Sequence, residues 1–456
     1  MNRVFAIASI AVRSAVRSRV VLVLLGLLLL VIVGLPLTVK GDGTVAGQVQ
    51  ILLTYTLGAV SLILSIATVW AGCAAVSLDV QGRQIHLILT KPVRRGEVWL
   101  GKWVGLLVLN VALLAVSGAV IYGLLRWNTR GLDANDQRKL REEILVARRQ
   151  VLAPPVNVEP EARQELERRR AQGALTNGVP VEEVFQSLKD QLLAMAYMVP
   201  TGYKRPWMFQ LPTTPAGDRP VVVRFKFSSS QVKDAKVTGI WFVGPQGSTD
   251  RYEVRLANVP GGTHSFEVPV AALRGSRAVV VEYANVNQEP VAVLFDPKDG
   301  VEMLVFEGTF TGNFVRALLV TIFQLALLGA LAVSAGSLFS FPVAALVSGY
   351  ALVMVQAGEY IGQLARGTGS LLSDAGPAGN QATVVDWAMR LVLRVESAIV
   401  QPLLGPSPLD ALASGRLVDW GWVGWELLIK VVIYSGGLAL VASWLFNRRE
   451  IGLPAE

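Results

Sequence analysis

Six stretches of this chain are apolar over a length that suits a bilayer: Val20 to Val39, Gln50 to Ser77, Val104 to Leu125, Phe314 to Phe339, Pro342 to Ile361 and Leu427 to Phe446. A helix needs about 20 residues to cross a hydrocarbon layer about 30 Å thick. Of the 456 residues, 52% are hydrophobic and only 17% are charged, against about 25% charged in an ordinary soluble protein. One water-soluble core cannot hide that much apolar surface. The expected fold class is therefore a polytopic α-helical membrane protein with about six transmembrane helices. Few charges fall inside the six stretches, chiefly Arg316, Glu359 and Lys430. They lie near the ends, where a long side chain snorkels or meets a protein partner.

The net charge of +8 would suggest nucleic acid in a soluble protein, but here it flanks the apolar segments. Arg3, Arg13, Arg17 and Arg19 precede the first span. Arg83, Lys91, Arg94, Arg95 and Lys102 lie between the second and third, and Arg448 and Arg449 follow the sixth. With six crossings these clusters share one side, and the positive-inside rule makes it the cytoplasm. Both termini and the loop 79–103 are then cytoplasmic, in an inner membrane, with no nucleic-acid partner. Asn2 to Arg19 places Val4, Ile7, Ala8, Ala11, Ala15 and Val16 on one face, as in a helix lying in the lipid interface. A cleaved signal peptide fits poorly, because the run to Val39 is long and Pro36-Leu37-Thr38 lacks a small-residue cleavage site. Cys73 is the single cysteine, and His86 and His264 are far apart, so the sequence offers no disulfide and no metal site.

Three regions follow: residues 1–125 with spans one to three, residues 126–313 exported as an exterior domain, and residues 314–456 with spans four to six. The exterior domain reads as α+β. Residues 133–198 are polar and helical in pattern, with Arg/Glu-rich stretches at Gln137 to Gln150 and Pro160 to Gln172 and an amphipathic one at Val181 to Met198. Pro154-Pro155 and Gly178-Val179-Pro180 interrupt them. Residues 219–310 alternate as strands at Val221 to Phe227, Gly239 to Val243 and Ala278 to Tyr283. Turn signals recur at Pro245 to Ser248, Pro260 to Gly262 and Asp296 to Gly300, which predicts a β-sandwich. A last exterior loop, 362–425, holds a Gly/Ser-rich part and an amphipathic part, Val384 to Val400, that lies on the outer leaflet or packs on the exterior domain.

The segment richest in functional signals is the loop 79–103. A short amphipathic helix from Gln84 to Leu89, with Ile85, Ile88 and Leu89 on one face, is stopped by Pro92. The run Ile88-Leu89-Thr90-Lys91-Pro92-Val93-Arg94-Arg95 followed by Leu100-Gly101-Lys102 resembles the coupling loop of ABC-2 type permeases. There a Leu-Leu-Ser/Thr-x-Pro-Val-x-Arg turn leads to a helical stretch ending in Gly-Lys at the third span. The basic first helix and the stub Asn447 to Gly452 also match that family. Two departures stand out: Gln81 to Leu87 lacks the family's acidic residue and Gly-Thr-Leu, and the domain 126–313 replaces a short loop.

The resemblance implies a permease subunit that moves a substrate with ATP and Mg held by a separate cytoplasmic ABC ATPase, beside a second permease copy. Gln84, Ile85, Ile88, Leu89, Lys91, Pro92, Arg94, Arg95, Gly101 and Lys102 would then form the coupling site. The chain itself carries no cofactor and is not expected to be an enzyme, since no catalytic constellation has defensible spacing. Gly96 to Lys102 imitates a phosphate-binding loop, yet Trp103 replaces the Ser/Thr and no buried strand precedes it. The competing reading is an ATP-independent scaffold or receptor whose exterior domain binds a ligand or partner. Ion-coupled transport is weaker, because ionisable groups are scarce at mid-membrane.

Overall fold

The computed structural model describes residues 2–17, 19–38, 49, 52–82, 93–130, 133, 145–173, 181–214, 219–230, 235–297, 300–366, 389, 391–392 and 407–448. In chain order the helices are α1 (Asn2–Arg17), α2 (Val20–Thr38), α3 (Leu57–Gln81), α4 (Arg95–Arg130), α5 (Glu159–Ala171), α6 (Val181–Tyr197), α7 (Phe310–Leu338), α8 (Phe341–Arg366), α9 (Pro408–Ala413), α10 (Trp420–Glu426) and α11 (Gly436–Arg448). A π-helical turn, Leu52–Thr56, leads into α3, and a longer one, Leu427–Ser435, joins α10 to α11. Two compact units result, Met1–Val146 with Thr309–Glu456 and Ala147–Gly308.

In the first unit, five helices are long and apolar enough to cross a membrane: Val20–Thr38, Leu52–Gln81, Arg95–Asn128, Phe310–Leu338 and Trp420–Phe446. The predicted span Pro342 to Ile361 lies on α8, whose described apolar part, Phe341–Met354, is shorter than a crossing requires. Helix α7 is the centre of this unit, with 67% of its most apolar window buried against 11% for α2. Small residues permit that burial. A Cβ on Gly336 would fall 2.6 Å from the Cys73 carbonyl oxygen, and one on Gly72 would fall 2.6 Å from Ala332 Cβ. Helices in lipid gain no hydrophobic attraction from each other, so close backbone approach of this kind holds them by dispersion.

Residues 407–419 pack within this unit. Ser407 caps α9 by accepting the Asp410 N–H at 3.2 Å, and Ala411, Leu412 and Val418 are buried. Fully buried Asn313 fastens this segment by donating to the Arg416 carbonyl at 2.7 Å and accepting the Val418 N–H at 2.7 Å. One amide side chain thus reads the peptide in both directions.

The second unit holds the strands β1 (Val146–Leu152), β2 (Met198–Val199), β3 (Lys204–Gln210), β4 (Val221–Ser229), β5 (Val237–Pro245), β6 (Tyr252–Asn258), β7 (Thr263–Val268), β8 (Ala278–Asn285), β9 (Val293–Phe295) and β10 (Val301–Thr309). One sheet runs β1-β10-β4-β9-β2 with β7 also on β4, and the other runs β3-β8-β5-β6. Every pairing whose register is described is antiparallel. Phe225, Phe227 and Phe295 from the first sheet share one core with Trp207, Trp241 and Tyr283 from the second. Phe225 lies 4.5 Å from Trp241 between ring centroids, and Phe295 lies 5.0 Å from Trp207. The expected turn at Pro245 closes by the Ser248 N–H donating to Pro245 O at 3.2 Å, with Gly247 at φ +83°, which glycine tolerates without strain.

One local expectation fails here, and one strand lies where none is expected. Part of the stretch expected as helix, Gln137 to Gln150, is strand β1 from Val146; residues 137–144 lie outside the described residues. Its Arg/Glu-rich composition mimics a helix, but Val146 and Ala147 are buried, Arg149 pairs with Glu307 and Gln150 donates to Glu302 at 2.5 Å. Strand β3, Lys204–Gln210, precedes the stretch 219–310 in which strands are expected, and it contains Pro206. As an edge strand paired with β8 alone, it tolerates a residue without an N–H.

Candidate functional site

The residues singled out in the loop 79–103 divide between what the structure describes and what it does not. Gln84, Ile85, Ile88, Leu89, Lys91 and Pro92 lie outside the described residues. On either side of them the helices extend further than the sequence suggests. Asp79 is on α3, and Arg95, Gly101 and Lys102 are on α4, a single helix of 36 residues that is about 54 Å long at about 1.5 Å per residue. The stretch that ends in Gly101-Lys102 is therefore continuous with the third span. The Gly96 to Lys102 run is helical throughout, which is not the geometry of a phosphate-binding loop.

The start of α4 is fastened on several sides. Glu97 accepts the Arg94 backbone N–H at 2.8 Å, which is half of a capping box. Arg95 donates to the Phe446 carbonyl, and its guanidinium carbon lies 5.3 Å from the centroid of the Phe446 ring. Gly96 faces Ser443, whose Oγ would lie 3.2 Å from a Cβ there. Lys102 and Asp79 form an ion pair at 2.6 Å between α4 and α3. Trp99 and Trp103 stack at 5.9 Å and reach α7, donating to Ser334 Oγ at 3.1 Å and to Ala326 O at 2.8 Å.

Helix α1 packs along the same turns. A Cβ on Gly101 would meet Ile7 at 2.7 Å and the Val4 carbonyl oxygen at 3.1 Å, and one on Gly105 would meet Ala11 Cβ and Ala8 O at 3.0 Å. Spaced i, i+4, the two glycines form a flat strip that admits the α1 backbone. The face Val4, Ile7, Ala8, Ala11 and Ala15, expected to lie in lipid, is the one that meets α4: Ala8 is buried and the other four are half-buried, while Val16 is exposed.

A second polar cluster opens the last span. Glu426 and Lys430, each about 95% buried, pair at 2.8 Å one turn apart, and Trp422 Nε1 donates to Glu426 Oε1 at 3.1 Å. Ser435 donates to the Lys430 carbonyl at 2.8 Å inside the π-helical turn. Lys430 was legible in the sequence, and its partner was recoverable from the i, i+4 spacing of opposite charges. The side chain of Glu359 lies outside the described residues. Among the described residues no group of three His, Cys, Asp or Glu side chains has a metal-binding arrangement.

In the second unit, a cleft of about 460 Å³ between α5 and α6 is lined by Glu161, Glu165, Arg168, Arg169, Leu188 and Met195 among others. A hydrogen bond from Arg169, reinforced by the charge of Arg168, holds the Glu165 carboxyl below its ordinary range. Burial depresses the Arg205 guanidinium, which lies 4.1 Å over the Tyr197 ring. Comparison with protein-family models, with curated proteins and with solved structures finds no match.

Proposed function

We propose that the chain is the membrane-spanning permease subunit of an ABC-2 type transporter, which passes motion from a separate cytoplasmic ATPase into its spans. The observation that carries this reading is the continuity of α4. A lever that transmits force must be rigidly joined to what it moves, and α4 runs unbroken from Arg95 through the third span. Its first turns are tied to α1, α3, α7 and α11. A displacement applied at residues 83–94 would therefore reach several spans together.

In this reading α8 is a sixth crossing, both termini are cytoplasmic, and Ala147–Gly308 is an exterior β-sandwich with two helices. ATP and Mg reside on the partner, and a second permease copy completes the pathway. The scaffold alternative draws on the separate core of Ala147–Gly308, which is suited to binding a ligand or partner outside.

The test is a double substitution, Ile85→Asp with Leu89→Asp. It should leave membrane insertion intact while abolishing co-purification of the ATPase in mild detergent. Arg95→Ala should weaken the complex only partly, since it loosens α4 from Phe446 but leaves the apolar docking side chains, which give about 1.5–3 kcal/mol each on burial, in place. Retention of the ATPase by the double variant, or its absence from the wild type, would defeat the coupling reading.

A further inference from the structure

We infer that the exposed side of α1 is a recognition surface for anionic phospholipid headgroups; this rests on the reading above, which places that end at a membrane surface. The sequence assigned the small-residue face of α1 to lipid, but α4 occupies it. At about 100° per residue, the side turned away from α4 carries Phe5 and Val16 on one flank and Ile10 on the other, with Arg13 and Arg17 one turn apart between them. Phe5, Ile10 and Val16 are 58%, 64% and 50% exposed. No Asp or Glu occurs among the first 41 residues. Among the described residues no carboxylate pairs with Arg13, Arg17 or Arg19.

The nearby acids are engaged elsewhere, Glu97 on the Arg94 N–H and Asp79 on Lys102. Basic side chains near the surface attract anionic headgroups by charge, about 1 kcal/mol each. A free phosphate would satisfy the arginines alone, whereas a phospholipid also covers the apolar flanks. The surface therefore commits to lipid.

The full-length chain, purified in mild detergent, is examined by native mass spectrometry with equal amounts of phosphatidylglycerol and phosphatidylcholine of identical acyl chains. The wild type should retain phosphatidylglycerol preferentially. Arg13→Gln with Arg17→Gln should lower that affinity about 25-fold, about fivefold per arginine, and leave phosphatidylcholine unchanged. Arg13→Lys with Arg17→Lys should restore most of the preference, and this arm decides the matter if the glutamine pair melts early. Phe5→Ser with Ile10→Ser should weaken both lipids alike, and millimolar inorganic phosphate should displace neither. Equal retention of the two lipids, a preference that survives the glutamine pair, failure of a folded lysine pair to restore it, or displacement by phosphate would each overturn the inference. Co-purification of the ATPase is read separately, so loss of lipid preference with the ATPase still bound refutes only this surface.

Discussion

Asn313→Ala should release the segment 407–419 from the helical unit. The side chain is fully buried and makes two bonds of 2.7 Å to backbone groups, donating to Arg416 O and accepting from the Val418 N–H. Removing it takes away the partner of the Val418 N–H in an apolar setting, with Val418 itself fully buried, and takes one donor from the Arg416 carbonyl. An unsatisfied buried polar group costs about 1–3 kcal/mol, which is the loss expected from the Val418 N–H alone. The loss is local, because the fourth-span helix α7 keeps its own ladder and its packing on α3. Hydrogen exchange on peptides covering Ala411 to Val423, in the full-length protein in lipid nanodiscs, reads it directly. At about 1.4 kcal/mol per decade, protection there should fall about fivefold to about 150-fold, with the α7 amides unchanged. Asn313→Leu, which fills the space without hydrogen bonding, should fall in the same range and separates the polar loss from a cavity. If both variants stay within about threefold of wild type, Asn313 is not the clamp.

Lys430→Met should destabilise the helical unit by about 3–5 kcal/mol, since it leaves the Glu426 carboxylate buried without its counter-charge. Glu426→Gln with Lys430→Met should recover most of that in detergent-unfolding curves, and failure to recover would mean the pair is not a closed unit. Gly239→Ala should destabilise the fragment 147–308, because a Cβ there would be driven into the buried Tyr283 ring. Overpacking costs about 1–3 kcal/mol, which for this size lowers Tm by about 2–12 °C in a cooperative calorimetric transition. An unshifted melt would show that the ring yields freely. Glu165 supplies a pH test. Its carboxyl is held below the ordinary range by the Arg169 hydrogen bond and the Arg168 charge, so its contribution to α5 is complete above the unfolded pKa of about 4.3 and is lost as pH falls through the lower, folded value. Exchange protection of Glu159–Ala171 should drop in that acid window, and Glu165→Gln should remove the dependence.

The membrane character of the chain lay open in the sequence. Apolar length is a one-dimensional property, and five of the six expected spans coincide with helices long enough to cross. Strands β4, β5 and β8 are equally legible, because runs of Val, Ile and aromatic residues between turn signals are written residue by residue. Amphipathicity, by contrast, requires that a face be covered without saying by what. The small face of α1 was assigned to lipid, and only the three-dimensional approach of Gly101 and Gly105 turned it toward protein. Strand β1 was taken as helix for a related reason. Its Arg and Gln side chains find partners in Glu307 and Glu302 on β10, residues about 150 positions away that no local pattern announces. The sequence marks Gly101 and Lys102 by their motif, and the structure adds their neighbours, Ile7 of α1 and Asp79 of α3. Chain length, hydropathy and alternation determine which segments must leave water. Which surfaces then meet depends on contacts distant in sequence, and only the tertiary structure decides those.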